Sequence, residues 1–136
     1  VADVTTKDKL YFAGFFDGEG CVAIYSKRNK YVVCLTNTDV RPLRRASILW
    51  GGTVTTQSKN GRKGALQDLW RWSLYGHNSL EFLRDIRPYT MIKTEQIDCY
   101  LDAMNVVPML GYNRPEGAAE IIDEAIVTLC LLKRGA

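Results

Sequence analysis

Histidine is almost missing from this 136-residue chain: His77 stands alone, and it precedes Asn78 and Ser79 at what reads as a helix start. Cysteine is sparse and scattered. Cys21, Cys34, Cys99 and Cys130 form no CxxC pair, so a zinc site built from Cys and His is not expected, and reduced, partly buried thiols are. Long apolar runs are also missing. The longest are a handful of residues, so no membrane span is expected. The first residues are polar and mixed in charge and show no signal peptide, which leads us to expect an intracellular protein (cytoplasm, nucleoid or organelle), not a secreted one. There is no internal repeat and no low-complexity tract. With 46% apolar and 24% charged residues, the chain is expected to fold as one globular domain over 1–136.

Charge of one sign is short at both ends. Residues 20–95 hold 13 Lys and Arg against 5 Asp and Glu, while 1–19 hold 2 against 4 and 96–136 hold 3 against 6. A net charge of only +3 thus hides a basic middle. Concentrated positive charge is the footprint of a nucleic-acid binder, although a solvated basic face gives the same count.

The most informative stretch is residues 10–20, Leu-Tyr-Phe-Ala-Gly-Phe-Phe-Asp-Gly-Glu-Gly. It reads as a helix with Thr5 or Thr6 as N-cap and Asp8 completing a capping box. Gly18 and Gly20 read as its stop, through the left-handed conformation glycine accepts. At helical spacing Leu10, Ala13, Gly14 and Asp17 share one stripe, and Phe12, Phe15, Phe16 and Glu19 lie round the other side. A helix apolar all round is buried on all sides. One face is therefore expected against its own domain and the other against a second helix, with Ala13 and Gly14 allowing close backbone approach.

Downstream, 21–25 and 31–36 are β-branched and aromatic runs around a basic turn, Ser26 to Lys30, which is a hairpin. Asp39 to Arg41 and Pro42 open a helix to about Leu49, ended by Gly51-Gly52. A second hairpin pairs 53–57 with 69–75 across a loop carrying Lys59, Arg62 and Lys63. In its last strand Trp70, Trp72 and Leu74 alternate with Arg71, Ser73 and Tyr75, which puts the tryptophans on the core. Further helices are expected over 77–86, about 93–104 and 116–133, with a linker over 108–115. The order predicts an α+β fold: an antiparallel four-stranded sheet with helices on one face. Its other face, with Ala23, Tyr25, Lys27, Thr53, Thr55, Gln57, Arg71, Ser73 and Tyr75, is either an ordinary solvent surface or one shaped for a DNA major groove.

Phe12-Ala13-Gly14-Phe15-Phe16-Asp17-Gly18-Glu19-Gly20 resembles the nine-residue signature of the LAGLIDADG homing endonucleases, with Phe for Leu at the first position and Glu for Asp at the last acid. The resemblance implies an αββαββα fold with C-terminal helices. It also implies a homodimer in which two copies of the signature helix pack through Leu10, Ala13 and Gly14. By the same resemblance Glu19 binds divalent metal, Gly18 offers its carbonyl beside it, and Asp17 is a structural acid at the helix end. Lys93, in Arg87-Pro88-Tyr89-Thr90-Met91-Ile92-Lys93, matches a lysine near the scissile phosphate. Asn37, in Leu35-Thr36-Asn37, matches a water-ordering position where Gln is usual.

The activity implied is an intron-encoded, Mg²⁺-dependent double-strand break in a long pseudo-palindromic DNA, with Mn²⁺ or Ca²⁺ able to substitute for binding. Tyr25, Arg41, Thr55, Gln57, Arg71, Ser73 and Tyr75 would meet double-stranded DNA from the sheet side. Lys27, Arg28, Lys30, Lys59, Arg62 and Lys63 would meet phosphates. Two alternatives stay open within the same fold: a maturase binding intron RNA, and a catalytically silent DNA-binding regulator.

Overall fold

A computed structural model describes residues 3–25, 30–58, 60, 67–106 and 117–134. The order is α1 (Thr6–Glu19), β1 (Gly20–Tyr25), β2 (Lys30–Asn37), α2 (Arg41–Trp50), β3 (Thr53–Gln57), β4 (Leu69–Tyr75), α3 (Gly76–Ile86), a 3₁₀ turn (Arg87–Tyr89), α4 (Thr94–Val106) and α5 (Ala118–Lys133). The four strands form one antiparallel sheet in the order β1-β2-β4-β3. This is the α+β arrangement that the periodicity predicts. The expected linker over 108–115, and most of the basic loop between β3 and β4, lie outside the described residues.

Helix α1 starts earlier than residue 10 because its cap works. The Thr5 hydroxyl accepts from the Asp8 amide, and the Asp8 carboxylate accepts from the Thr5 amide. The stop signal is chemically different from the expected one. Gly18 is inside the helix and Gly20 is extended, at φ −79° and ψ 156°, not left-handed. Glycine is needed at 20 for space: a Cβ there would lie 2.1 Å from the Phe16 ring. Pro42 sits in the first turn of α2, and Gly51 (φ 84°) and Gly52 (φ 88°) end it as expected.

One sheet face is packed by an aromatic cluster. Phe82 stacks edge-on against Trp50 (4.8 Å between ring centroids) and Trp72 (5.0 Å), and Phe12 meets Trp50 at 5.3 Å. Trp72 is wholly buried, as the alternation in β4 requires, and its indole N–H donates to Gly51 O at 2.8 Å. The Trp50 indole donates to Asp85 at 2.9 Å, so both polar edges in this apolar layer are satisfied. Ser79 and Tyr100, whose oxygens are 2.9 Å apart, tie α3 to α4. Burial pushes the Tyr100 phenol up to about 12.

The phase of α1 differs from the stripe expected. Phe12, Ala13 and Phe16 face the core, and Leu10 (53% exposed), Tyr11 (53%) and Gly14 face outward. Ala13 is 0% exposed within its own domain and has no surface left for a second copy, so the small residue open to a close helix contact is Gly14. Ala13 and Gly14 are neighbours, about 100° apart on a helix, and a run apolar on every side does not say where the core begins.

Two tests follow from this packing. Gly20→Ala forces the Phe16 ring off its rotamer and should cost about 1–3 kcal/mol of unfolding free energy in urea titration. Asp8 is held below the usual carboxylate range, chiefly by the Thr5 amide and hydroxyl, with help from Arg45. Its contribution is therefore complete above the unfolded value of about 4 and fades as pH falls through the lower folded value. Asp8→Asn should remove that part of the acid limb when urea midpoints are measured against pH.

Candidate active site

The C-terminal end of α1 is joined to the start of α4 by one carboxylate. Asp17 accepts from the backbone amides of Met91 (2.8 Å), Ile92 (3.2 Å) and Lys93 (3.0 Å), across 74 to 76 residues of chain. Lys93 O in turn accepts the first helical bond of α4, from Ile97. Asp17 thus caps a second helix from outside, where a negative charge is favoured. A lysine at that positive helix end calls for a compensating anion, and the anion present is Asp17. The Lys93 side chain turns back: its ammonium donates to Gly20 O and lies 5.8 Å from the Phe16 ring centroid. Signature helix, first strand and Lys93 are in this way locked to one another.

Glu19 and Gly18 are exposed at the same helix end. A helix leaves its last carbonyls without partners inside it, and α1 has no basic residue in its last turn. A free carboxylate beside exposed helix-end carbonyls is a hard-oxygen donor set of the kind Mg²⁺ accepts. Asp17, committed to three amides, is not free to join it. Among the described residues no group of three or more His, Cys, Asp or Glu is placed to hold a metal, so one chain supplies a single free carboxylate here.

Asn37 is half-buried at the end of β2. Its side-chain oxygen accepts from the Asp39 amide at 3.2 Å, closing a turn into α2. Among the described residues no hydrogen bond joins it to Asp17 or Lys93. Arg41, fully exposed, makes a fork with Asp39, with contacts from 2.6 to 3.1 Å, and the guanidinium holds Asp39 down to about 2. His77 pairs with Glu81 on the surface of α3, in keeping with a helix start.

On the sheet face away from the aromatic cluster the register sets side chains in rows. Thr55, Arg71 and Thr36 form one, Thr53, Ser73, Cys34 and Cys21 the next, and Tyr75, Val32 and Ala23 a third. Arg71, Thr55, Tyr75 and Tyr25 are exposed and Ser73 is half-buried. Thr55, Gln57 and Arg71, with Thr56 and Leu69, line a shallow recess of about 140 Å³. Hydroxyl, amide and guanidinium together give it donors and acceptors suited to base edges. Lys27, Arg28, Lys59, Arg62, Lys63 and the side chain of Lys30 lie outside the described residues.

Three residues of this region were not singled out from the sequence. Cys21 and Cys34 are direct cross-strand partners, and Lys133, at the end of α5, donates to Val22 O (2.7 Å) and to the Cys21 sulfur (3.5 Å). The neighbouring Cys34 thiol, with Lys133 and Lys93 nearby, holds Cys21 down to about 5, while Cys21 and burial push Cys34 up. The period-two pattern of β1 already put Cys21 on the face of Ala23 and Tyr25; that of β2 put Cys34 with Thr36. No sequence signal indicated Lys133.

The family model of the LAGLIDADG-like domain matches residues 6–87, and the chain belongs to that family. The fold is that of the homing endonuclease I-CvuI. A crystal structure of I-CvuI with its target in the presence of Ca superposes with a TM-score of 0.62 at 17% identity, covering 92% of this chain and 96% of that one. A second, with the I-CreI target in the presence of Mg and the DNA not cleaved, gives 0.60 at 18%, covering 91% and 95%. A search of curated protein sequences returns no significant match.

Replacing Asp17 by Ala leaves three amides without their shared acceptor. Loss of such charge-assisted bonds should cost about 1.5–3 kcal/mol in urea titration. Faster amide exchange confined to 91–94 would identify the cap as its source.

Proposed function

We propose that this chain is a homodimeric, divalent-metal-dependent DNA endonuclease that cuts both strands of a long, roughly palindromic site. The observation that carries this reading is the exposed Glu19 carboxylate at the end of a helix whose outer face, Leu10, Tyr11 and Gly14, is apolar and bare. Met91 (89% exposed) and Ile92 (74%), bonded through their amides to Asp17, extend that apolar surface. Packing two copies of α1 face to face covers it and brings two Glu19 carboxylates to one end of the seam. I-CvuI, which shares the fold, was crystallised with its DNA target, which supports reading DNA as the partner.

Hydrolysis of a phosphodiester needs a positioned water, charge neutralisation at the phosphate and relief of charge on the leaving oxygen. Mg²⁺, when bound by Glu19 and the Gly18 carbonyl of both copies, would acidify water and neutralise phosphate charge. Lys93, released from Gly20 O, donates to a phosphate oxygen, and Asp17 holds its backbone for that reach. Asn37 keeps its amide N–H donors for a water, its oxygen being used in the turn. Arg71, Thr55, Gln57, Ser73, Tyr25 and Tyr75 face the bases. Arg41 and the basic loop residues face phosphates.

Cleaved sites should be selected from a random palindrome library with Mg²⁺, comparing the parent with Glu19→Gln. The variant should bind the selected duplex and leave it intact; undiminished cutting would remove Glu19 from the chemistry. Binding should weaken steeply with salt, at about 0.9 log units per log unit of salt for each phosphate neutralised. Leu10→Glu should shift the sedimentation coefficient from dimer to monomer and abolish double-strand cutting. Binding of structured RNA without cleavage of any duplex would replace this reading with the maturase one.

A further inference from the structure

Cys21 and Cys34 sit directly opposite each other on β1 and β2, on the face that the proposed function gives to DNA. Opposed residues of an antiparallel ladder have Cα atoms about 4.5–5.5 Å apart, inside the range of about 4.4–6.8 Å that a disulfide spans. Each thiol is half-buried, and the ladder register holds the two residues face to face. The Lys133 ammonium lies 3.5 Å from the Cys21 sulfur. Cys99, by contrast, donates to Ala125 O between α4 and α5, and Cys130 is exposed on α5, each on another element.

We propose that Cys21 and Cys34 form a reversible dithiol–disulfide site, oxidised by a hydroperoxide. The Cys21 sulfur attacks one peroxide oxygen and the O–O bond breaks. The sulfur is left as a sulfenic acid, and the displaced oxygen takes a proton, which the neighbouring ammonium is placed to supply. The Cys34 sulfur then attacks the sulfenyl sulfur. An S–S bond forms, the S–O bond breaks and water leaves. Two electrons pass from the sulfur pair to the peroxide, so that two thiols and one hydrogen peroxide become one disulfide and two waters. A small dithiol reverses the reaction by exchange.

The consequence for activity rests on the nuclease reading. Cys21 follows Gly20, whose carbonyl holds the Lys93 ammonium, and stands two residues after Glu19. A bridge to β2 re-aims the start of β1 and so both groups. Misplacement by about 1 Å is enough to cost on the order of a hundredfold in rate.

The full chain carrying Cys130→Ser should be treated with hydrogen peroxide, alkylated and mapped by mass spectrometry, with and without dithiothreitol. We expect loss of two alkylatable thiols, a linked pair of peptides containing Cys21 and Cys34, and return of both thiols with dithiothreitol. A link through Cys99, or over-oxidised Cys21 with no link, overturns the proposal. DNA cleavage, each variant measured against its own untreated sample, should fall at least about tenfold on oxidation and recover on reduction. In Cys34→Ala and Cys34→Ser that thiol-reversible loss should vanish. Linkage with unchanged cleavage would sever the bridge from the active site. Linkage in a chain that cuts no DNA in either state would instead count against the nuclease reading.

Discussion

Three backbone amides converge on the carboxylate of Asp17, and the geometry of the candidate active site depends on that convergence. The bonds close a loop of more than seventy residues between the end of the signature helix and the start of α4. They hold the segment leading into α4 and satisfy the N–H of Lys93, the residue just before that helix, with a full negative charge near the positive end of its dipole. Lys93, whose own amide is one of the three, is thereby fixed relative to Gly20 and Glu19. The two acids of the motif consequently do different work. Asp17 is consumed by structure, and Glu19, two residues on, is left exposed with nothing basic in its turn.

The sheet separates two environments by alternation alone. One side carries Trp72, Leu74, Val22, Val33 and Leu35 into a core stacked on Phe82 and Trp50. Arg71, Thr55, Gln57 and Ser73 project on the other. The indole N–H groups that would be costly to bury unpaired are directed at Gly51 O and Asp85, which keeps the aromatic layer rigid beneath the face that presents polar groups. A rigid platform with exposed, hydrogen-bonding side chains in fixed rows is suited to reading a repeating polymer surface. The same rows put two thiols opposite each other one step from the helix end.

Local chemistry accounts for the expectations that held and those that did not. Tryptophans at 70 and 72 alternating with arginine and serine leave one choice of face, because the period of a strand is two and one side must be dry. The Thr5–Asp8 box, Pro42 and the Gly51-Gly52 pair are likewise readable, since each satisfies a need within four residues. Gly20 was legible as a stop but not for the right reason, since the reason is the Phe16 ring above it and not a backbone angle. Asn37, placed correctly at the strand end, uses its oxygen in a local turn that a motif match does not reveal.

The amino-acid order by itself therefore determined the α+β succession, the two faces of the sheet, the family signature and the identity of Glu19 and Lys93 as residues of interest. Tertiary structure alone decided the rotation of α1, which buries Ala13 and leaves Leu10, Tyr11 and Gly14 bare, because a helix apolar on every side carries no phase in its pattern. It alone decided that Asp17 caps α4, that Cys21 opposes Cys34 and that Lys133 reaches the first strand. Such contacts join residues from 13 to more than a hundred positions apart, and periodicity, which relates near neighbours, holds no information about which distant groups the packed core brings within bonding distance.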